Sequence, residues 1–289
     1  MDKTPYKPTL SDVKRIERLL GIFPSLLIEQ ALLEKQINIH SDDIPKSFAK
    51  YFALLSAYSC GKLEGKSLVD FGCGLGVFVS QASKLGMKSE GIDNFHEYDG
   101  RCYDAAEIIS NCISENALPV LTVLDFLNME LNRQVDFVSS FGMLEHIYGQ
   151  SSRDLIIKKM MNALKSGGYL ILTCGPNKRF PIDLYHYGPT FLFYHCLPVK
   201  LREWYLRLFG KGLNQNPKWL NGMDINEISG SILSYGGGKI KQLYPLWVEI
   251  SNSRVLNISL FRLLALTSVK ILAKIKAEPV IILIAQKIG

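Results

Sequence analysis

From residue 66 onward, the sequence alternates between short apolar runs and longer stretches with apolar residues at helical spacing. Strands of about four to eight residues that alternate with helices of about ten predict βαβ units with right-handed crossovers. The pattern therefore indicates an α/β fold with a mostly parallel sheet. The predicted strands are 67–71, 88–93, 120–125, 134–142 and 169–175, and the predicted helices are 77–85, 103–113 and 152–168.

The segments on either side of this alternation differ from it. The first sixty residues show helical spacing of apolar residues, with start and stop signals such as Gly21. Residues 176–223 are rich in aromatic, proline and basic residues, which indicates an insertion rather than a core crossover.

The alternation resumes after this insertion, with a helix predicted at 224–237 and strands at 239–250 and 279–288. Between those strands, residues 255–277 are apolar and helical but are interrupted by charged and polar residues. The interruptions favour a buried or interfacial helix over a membrane span.

The most specific local feature is SLVDFGCGLGVFVSQASKLG, in which Gly72, Gly74 and Gly76 follow a predicted strand. Glycine lets a backbone approach a ligand closely, and the N-terminus of the following helix offers free N–H groups. The dinucleotide fingerprint G-x-G-x-x-G needs a third glycine where Val77 or Val79 stands. This mismatch argues against a nicotinamide cofactor.

An acidic residue followed by G-x-G-x-G, Asp70 to Gly76, resembles motif I of the class I S-adenosylmethionine-dependent methyltransferases. That cofactor has no pyrophosphate, so a carboxylate near the turn suits its cationic groups. The segment SFGMLEHI (140–147) resembles the LEH segment of a subgroup related to ubiquinone-pathway and sugar-modifying enzymes. The stretch ALKSGGYLILTCGPN (163–177) is similar to a later L-K-P-G-G motif, with Ser166 replacing the proline.

The resemblance implies a Rossmann-like class I methyltransferase fold, with about seven mostly parallel strands, helices on both faces, N-terminal helices and an inserted cap. It implies S-adenosylmethionine as cofactor, S-adenosylhomocysteine as product and no metal. An acid that closes the second strand, here Asp93, accepts hydrogen bonds from ribose hydroxyls. The full set of expected cofactor-binding residues is Asp70, Gly72, Cys73, Gly74, Gly76, Asp93, Asn94, Asp125, Phe126 and Phe141.

One domain, 1–289, is expected to contain all of these parts. Its parts are a helical segment (1–65), a cofactor-binding core (66–177), an acceptor-side cap (178–223) and a C-terminal part with the last two strands (224–289).

Methylation of a hydroxyl needs a base near the end of the fourth strand or in the cap. His146 and His186 are the candidate bases, and each has an alternative structural interpretation: pocket shaping for His146 and hydrogen bonding within the loop for His186. Glu145 and His195 are interpreted as structural. An acceptor pocket is expected to include Asp183, Tyr185, Tyr187 and Tyr194.

The charge pattern bears on the acceptor. Residues 178–289 carry 15 lysines and arginines against 6 aspartates and glutamates, a net charge of +9. This excess favours an anionic acceptor, such as a nucleotide-linked or lipid-linked sugar precursor. No basic and aromatic stripe points to nucleic acid. The sequence leaves the oligomeric state open.

The polar start of the chain carries no secretory signal pattern. The six cysteines stand without C-x-x-C or zinc spacing, which indicates reduced thiols in a cytoplasmic protein, with peripheral membrane contact as an alternative.

The predicted function is S-adenosylmethionine-dependent methyl transfer, with oxygen on a small molecule or glycan precursor as the favoured acceptor. Nitrogen and carbon acceptors stay open. The alternatives are methylation of a membrane-associated quinone or lipid precursor, a non-catalytic S-adenosylmethionine-binding protein, and a nicotinamide-dependent oxidoreductase.

Overall fold

The computed structural model of the chain describes residues 9–39, 44–96, 100–114, 118–128, 131, 134–178, 182–183, 188–192, 197–209, 222–236, 238–244 and 281–288. These residues divide between two compact units. The first unit contains Met1–Ser140 and Lys159–Leu170, and the second contains Phe141–Lys158 and Ile171–Ile288.

The predicted N-terminal helical segment is confirmed, and its described residues form α1 (Leu10–Leu20), α2 (Ser25–Glu34) and α3 (Ala49–Tyr58). A capping box fixes the start of α1, because the Thr9 side chain accepts from the Asp12 N–H while the Asp12 carboxylate accepts from the Thr9 N–H. Helix α1 packs on α3. Helix α2 buries Ile28 and Leu32 in the same apolar cluster as Ile109.

The βαβ alternation begins with β1 (Ser67–Phe71), α4 (Val77–Lys84), β2 (Lys88–Asp93), α5 (Cys102–Ile113) and β3 (Val120–Val123). It continues with β4 (Val135–Phe141), a short 3-10 helix (Leu144–His146), α6 (Gln150–Asn162) and β5 (Leu164–Cys174). These elements confirm the predicted alternation of short strands and longer helices. Residues 68–71, which include Asp70, and the apolar pair 137–138 are buried, as expected for strands covered on both faces.

The sheet has seven strands in the order β3-β2-β1-β4-β5-β9-β8. Strand β1 pairs in parallel with β2 and with β4, and β2 pairs in parallel with β3. Strands β8 (Gly238–Tyr244) and β9 (Ile281–Lys287) form an antiparallel pair. The predicted mostly parallel sheet of about seven strands is confirmed.

One boundary in the core was predicted wrongly. The helix expected over 152–168 ends at Asn162, and β5 begins at Leu164 rather than at residue 169. The glycine pair therefore lies inside the strand. A Cβ at Gly168 would lie 2.9 Å from the Asp136 carbonyl oxygen, so the glycine permits a close approach of two backbones.

The predicted insertion contains a two-stranded antiparallel hairpin, β6 (Ile182–Asp183) and β7 (Gly188–Leu192), and a helix, α7 (Val199–Phe209). Helix α8 (Ile225–Gly236) follows, close to the predicted range. The helix expected over 255–277 lies outside the described residues. Within the described ranges, none of the helices has the length and apolar character needed to cross a bilayer.

Candidate functional site

The glycine-rich turn between β1 and α4 is held against the end of β2. The N–H groups of Gly72 and Cys73 donate to the Ile92 carbonyl oxygen at 2.8 and 3.2 Å. Gly72, Gly74 and Gly76 have φ angles of 75°, 49° and 69°, a left-handed conformation that side chains disfavour. The alternate glycines are therefore required by the path of this turn.

The glycines differ in what surrounds them. A Cβ at Gly74 would meet no atom within 4 Å, so this part of the turn faces open space. A Cβ at Gly76 would lie 3.4 Å from the Ser110 hydroxyl, because the start of α4 packs closely on α5. Gly74 thus leaves room for a ligand beside the backbone, while Gly76 serves the packing of two helices.

Asp93 ends β2 and binds two backbone groups with its carboxylate. Its Oδ2 accepts from the Gly74 N–H at 2.9 Å, and its Oδ1 accepts from the Phe95 N–H at 3.0 Å. The neighbouring Asn94 is exposed and accepts from the His96 N–H at 3.2 Å. The structure therefore brings the predicted acid of the second strand into contact with the glycine turn.

Asp70 precedes the turn and is only 2 % exposed. The Ser139 hydroxyl donates to its carboxylate at 2.7 Å. Burial raises the pKa of Asp70 to about 7, the Ser139 hydrogen bond opposes this rise, and the Asp93 carboxylate adds to it. Two acids therefore lie near the glycine turn, and one of them titrates near neutral pH.

The end of β3 supplies a third acid and an aromatic ring. Asp125 is exposed, whereas Phe126 is 7 % exposed and its ring is stacked on that of Phe71, with centroids 6.1 Å apart. The Asp125 carboxylate accepts from the Leu127 N–H at 2.9 Å and from the Asn128 side-chain amide at 2.8 Å. The predicted residues of β1, β2 and β3 thus stand at the ends of neighbouring parallel strands.

Cys73 occupies the turn between the first two glycines. Its side chain is 9 % exposed and fills the space beside Gly91 of β2. Burial raises the pKa of the Cys73 thiol well above its ordinary value, and the Asp70 and Asp93 carboxylates add to the rise. The thiol therefore serves packing in this turn. A ligand beside the turn would contact the backbone of Cys73 rather than its sulfur.

The second unit contains the remaining core candidates. Phe141 ends β4, and the 3-10 helix that follows places Glu145 in a buried position and His146 in a half-buried one. Burial raises the pKa of the Cys174 thiol well above its ordinary value, the Glu145 carboxylate adds to the rise, and Arg153 opposes it. The roles of Glu145 and His146 stay predictions.

The candidates in the insertion lie largely outside the described residues. His186, Tyr185, Tyr187, Tyr194 and His195 are among the residues that are not described, and Asp183 is described only as part of β6. Their roles stay predictions.

Sequence reasoning missed three contributors to this region: Ser139, Phe71 and Lys159. Ser139 pairs with Asp70 across parallel strands, and Lys159 donates to the loop after β3. A partial signal existed for Ser139, because a serine pair inside an otherwise apolar strand is unusual. Nothing local in the sequence connects Lys159 to residues more than thirty positions away.

The strand order, the parallel β1–β4 core, the antiparallel last pair and the glycine turn after β1 together define the fold of the class I S-adenosylmethionine-dependent methyltransferases. A family model described as a methyltransferase domain matches residues 42–211. The chain therefore belongs to this methyltransferase family.

Solved structures agree in fold. A protein from Listeria monocytogenes assigned to the S-adenosylmethionine-dependent methyltransferases has a TM-score of 0.51 at 18% identity, covering 78% of this chain and 92% of that one. Phosphoethanolamine N-methyltransferase 2 of Haemonchus contortus, solved with S-adenosyl-L-methionine, has a TM-score of 0.53 at 15% identity and covers 97% of this chain and 61% of that one.

Magnesium protoporphyrin IX methyltransferase of Synechocystis, solved with S-adenosylhomocysteine, has a TM-score of 0.49 at 16% identity, covering 96% of this chain and 94% of that one. A search of the curated proteins finds none that matches the sequence. Among the residues that the structure describes, no group of three or more His, Cys, Asp or Glu side chains could hold a metal ion.

Proposed function

We propose that this methyltransferase transfers the methyl group of S-adenosylmethionine to an oxygen atom of a small molecule or glycan precursor. The observation that carries the cofactor part of the proposal is the Asp93 carboxylate, which binds the Gly74 N–H at the point where the turn faces open space. When bound, S-adenosylmethionine supplies a methyl carbon activated by its sulfonium. The chain must then bind that cofactor, orient the acceptor and accept a proton.

The residues present fit the cofactor. A carboxylate oxygen that accepts one N–H group retains a second lone pair, so both oxygens of Asp93 can still accept from ribose hydroxyls. Beside the turn, the Asp93 carboxylate provides negative charge, and Asp70 adds to it as far as it is ionised near its pKa of about 7. This charge suits the cationic groups of the cofactor and disfavours a diphosphate. These features support the expected cofactor over NAD.

The adenine end is assigned to the loop after β3. Asp125 keeps acceptor capacity after its two hydrogen bonds, so it can accept from an adenine amino group. Phe126, held by its stacking on Phe71, offers an apolar surface for the purine ring. Phe141 and Asn94 complete the proposed set.

Deprotonation of the acceptor is assigned to His146 or His186. An imidazole changes its charge near neutral pH, which suits removal of a hydroxyl proton. The acceptor pocket is proposed to contain Asp183, Tyr185, Tyr187 and Tyr194. An anionic acceptor is favoured by the net charge of +9 that 15 basic and 6 acidic residues give to 178–289.

Calorimetric titration with S-adenosylmethionine, S-adenosylhomocysteine and NAD tests the cofactor assignment. We expect micromolar affinity for the two adenosyl ligands, none for NAD, and at least about tenfold weaker binding in Asp93→Ala. Asp93→Asn keeps one acceptor oxygen, so its affinity for the adenosyl ligands should lie between those of wild type and Asp93→Ala. The matched control is Asp104→Ala, because that side chain is 57% exposed and stands at the start of α5.

Absence of adenosyl binding, or equal binding by Asp93→Ala, would overturn the cofactor assignment. Turnover is tested by S-adenosylhomocysteine release with nucleotide-linked sugars, lipid-phosphate-linked sugars and quinols. Release with a quinol alone would favour the membrane-associated alternative. Tight cofactor binding with no release across the panel would favour a non-catalytic binding protein.

A further inference from the structure

The connection between β3 and β4 is held by a lysine from a distant helix. Lys159, in the last turn of α6, donates from its ammonium group to the Phe126 carbonyl oxygen at 3.0 Å and to the Leu127 carbonyl oxygen at 2.6 Å. The other connections between core strands that are consecutive in the chain, from β1 to β5, contain helices. In the described part of this one, residues 124–128, 131 and 134, there is a turn and no helix.

Hydrogen bonds with a charged donor are shorter and stronger than those between neutral groups. One ammonium that binds two consecutive carbonyls restricts the orientation of both peptides. On its other side, the Leu127 N–H donates to Asp125 at 2.9 Å. The Phe126–Leu127 peptide is therefore bound through its N–H by Asp125 and through its carbonyl by Lys159, which also binds the carbonyl of the next peptide.

This arrangement couples Lys159 to the Asp125 carboxylate. A shift of the Leu127 N–H would release one oxygen of Asp125, which is exposed and has few other constraints. Phe126 is tied to the same peptide, while its ring rests on Phe71. Lys159 thus binds the backbone that carries both an acid and an aromatic ring at the end of β3.

We infer that Lys159 is a positioning residue for recognition of the adenine base. The inference rests on the proposed function, in which Asp125 accepts from the adenine amino group. A hypoxanthine base carries an oxygen in place of that amino group, so a correctly placed carboxylate rejects it. Lys159 then contributes to the choice between the two bases without touching either one.

The test measures the dissociation constants of S-adenosylhomocysteine and S-inosylhomocysteine by calorimetry. Lys159→Met keeps the length of the side chain but removes its donors, and Lys159→Arg restores them. Lys158→Met is the matched control, because Lys158 is adjacent and exposed. Thermal unfolding of each variant accompanies the titrations.

We expect Lys159→Met to bind S-adenosylhomocysteine about tenfold more weakly, with less than a twofold change for the inosyl ligand. The ratio of the two constants should recover at least partly in Lys159→Arg and stay unchanged in Lys158→Met. An equal loss for both ligands, or no loss for either, would overturn the inference. Failure of the wild-type protein to bind S-adenosylhomocysteine would instead contradict the proposed function.

Discussion

The Ser139 hydroxyl donates a 2.7 Å hydrogen bond to the Asp70 carboxylate, and the two residues are register partners on the adjacent parallel strands β1 and β4. Both side chains are almost fully buried, at 1 % and 2 % exposure. A single hydroxyl compensates only part of the cost of removing a carboxylate from water. The pKa of Asp70 accordingly rises from 3.8 to about 7, chiefly through burial.

The raised pKa predicts a pH-dependent stability. Between pH 3.8 and about 7, the folded protein binds more protons at Asp70 than the unfolded protein does. The free energy of unfolding therefore falls as pH rises through this interval and levels off above it, with an upper bound of about 4 kcal/mol. We expect the free energy of unfolding of Asp70→Asn minus that of wild type to rise by about 1–3 kcal/mol from pH 5 to pH 8, as measured by urea unfolding.

Ser139→Ala provides the opposite arm of the same measurement. Loss of the hydroxyl removes the group that lowers the Asp70 pKa. The variant should lose about 1–2 kcal/mol at pH 8 and less at pH 5, where the carboxyl is protonated. If both variants differed from wild type by the same amount at the two pH values, the assigned titration of Asp70 would be wrong.

A second prediction concerns Gly91, the β2 residue beside the glycine turn. A Cβ added there would lie 2.6 Å from the Cys73 sulfur and 2.9 Å from the Cys73 Cβ. Gly91→Ala should therefore lower the free energy of unfolding by about 1–3 kcal/mol through overpacking and weaken binding of S-adenosylhomocysteine by shifting the turn. Chemical unfolding and calorimetry measure the two effects.

Combination with Cys73→Ala removes the sulfur contact and leaves the Cβ contact, so part of the loss should be recovered. Gly230→Ala is the control. A Cβ added at this glycine of α8 would have no atom within 4 Å. The substitution should therefore raise the free energy of unfolding by about 0.5–1 kcal/mol. An unchanged Gly91→Ala variant would contradict the close packing of Cys73.

Local patterns were sufficient for most of the sheet. Strands 67–71 and 88–93 occur as predicted, because SLVDF carries adjacent apolar residues and KSEGID follows the helix stop at Gly86 in the regular alternation of strands and helices. The helix end at Asn162 was misplaced because a glycine pair was interpreted as a stop signal, whereas Gly168 permits a close backbone contact with Asp136 inside β5. The close approach of β5 to Asp136 is a tertiary contact, so the local sequence pattern could not reveal it.

The candidate site likewise contains some residues that the sequence predicts and some contacts that it does not. The glycine turn could be located because its residues are adjacent in sequence, and Asp93 was expected near it because the resemblance places an acid at the end of the second strand. The hydrogen bond of Ser139 to Asp70 joins residues 69 positions apart, and that of Lys159 to Phe126 joins residues 33 apart. Such contacts depend on strand order and side-chain reach, neither of which a local pattern contains.

A third prediction concerns Asp136, at the start of β4. Its carboxylate accepts from the Ser67 N–H at 3.0 Å, from the Ser67 hydroxyl at 2.7 Å and from the Lys165 ammonium at 3.1 Å. Burial acts to raise the pKa of Asp136, but these donors outweigh it and hold the pKa below its ordinary 3.8. The stabilisation is therefore present at neutral pH and is lost as pH falls below about 4.

Asp136→Asn should lower the free energy of unfolding by about 1–3 kcal/mol at pH 7, because the Ser67 donors lose a charged acceptor. The difference from wild type should shrink at pH 3. Lys165→Met should cost less than about 1 kcal/mol, since that side chain is 47% exposed. A larger loss of unfolding free energy for Lys165→Met than for Asp136→Asn would show that the Lys165 contact, and not the Ser67 contacts, provides most of the stabilisation.

A fourth prediction concerns thiol reactivity. Cys60 is exposed, whereas Cys73, Cys102 and Cys174 are buried. Burial raises the pKa of Cys73 and of Cys174, so little thiolate forms at either residue near neutral pH. Alkylation by N-ethylmaleimide at pH 7.5, followed by peptide mass spectrometry, should label Cys60 on the order of a hundredfold faster than those two residues.

Because Cys73 can react only when the turn opens, S-adenosylhomocysteine should slow its labelling further and leave that of Cys60 unchanged. Labelling of Cys73 at the rate of Cys60 would show that the turn is open in solution, and the close contact with Gly91 would then be wrong.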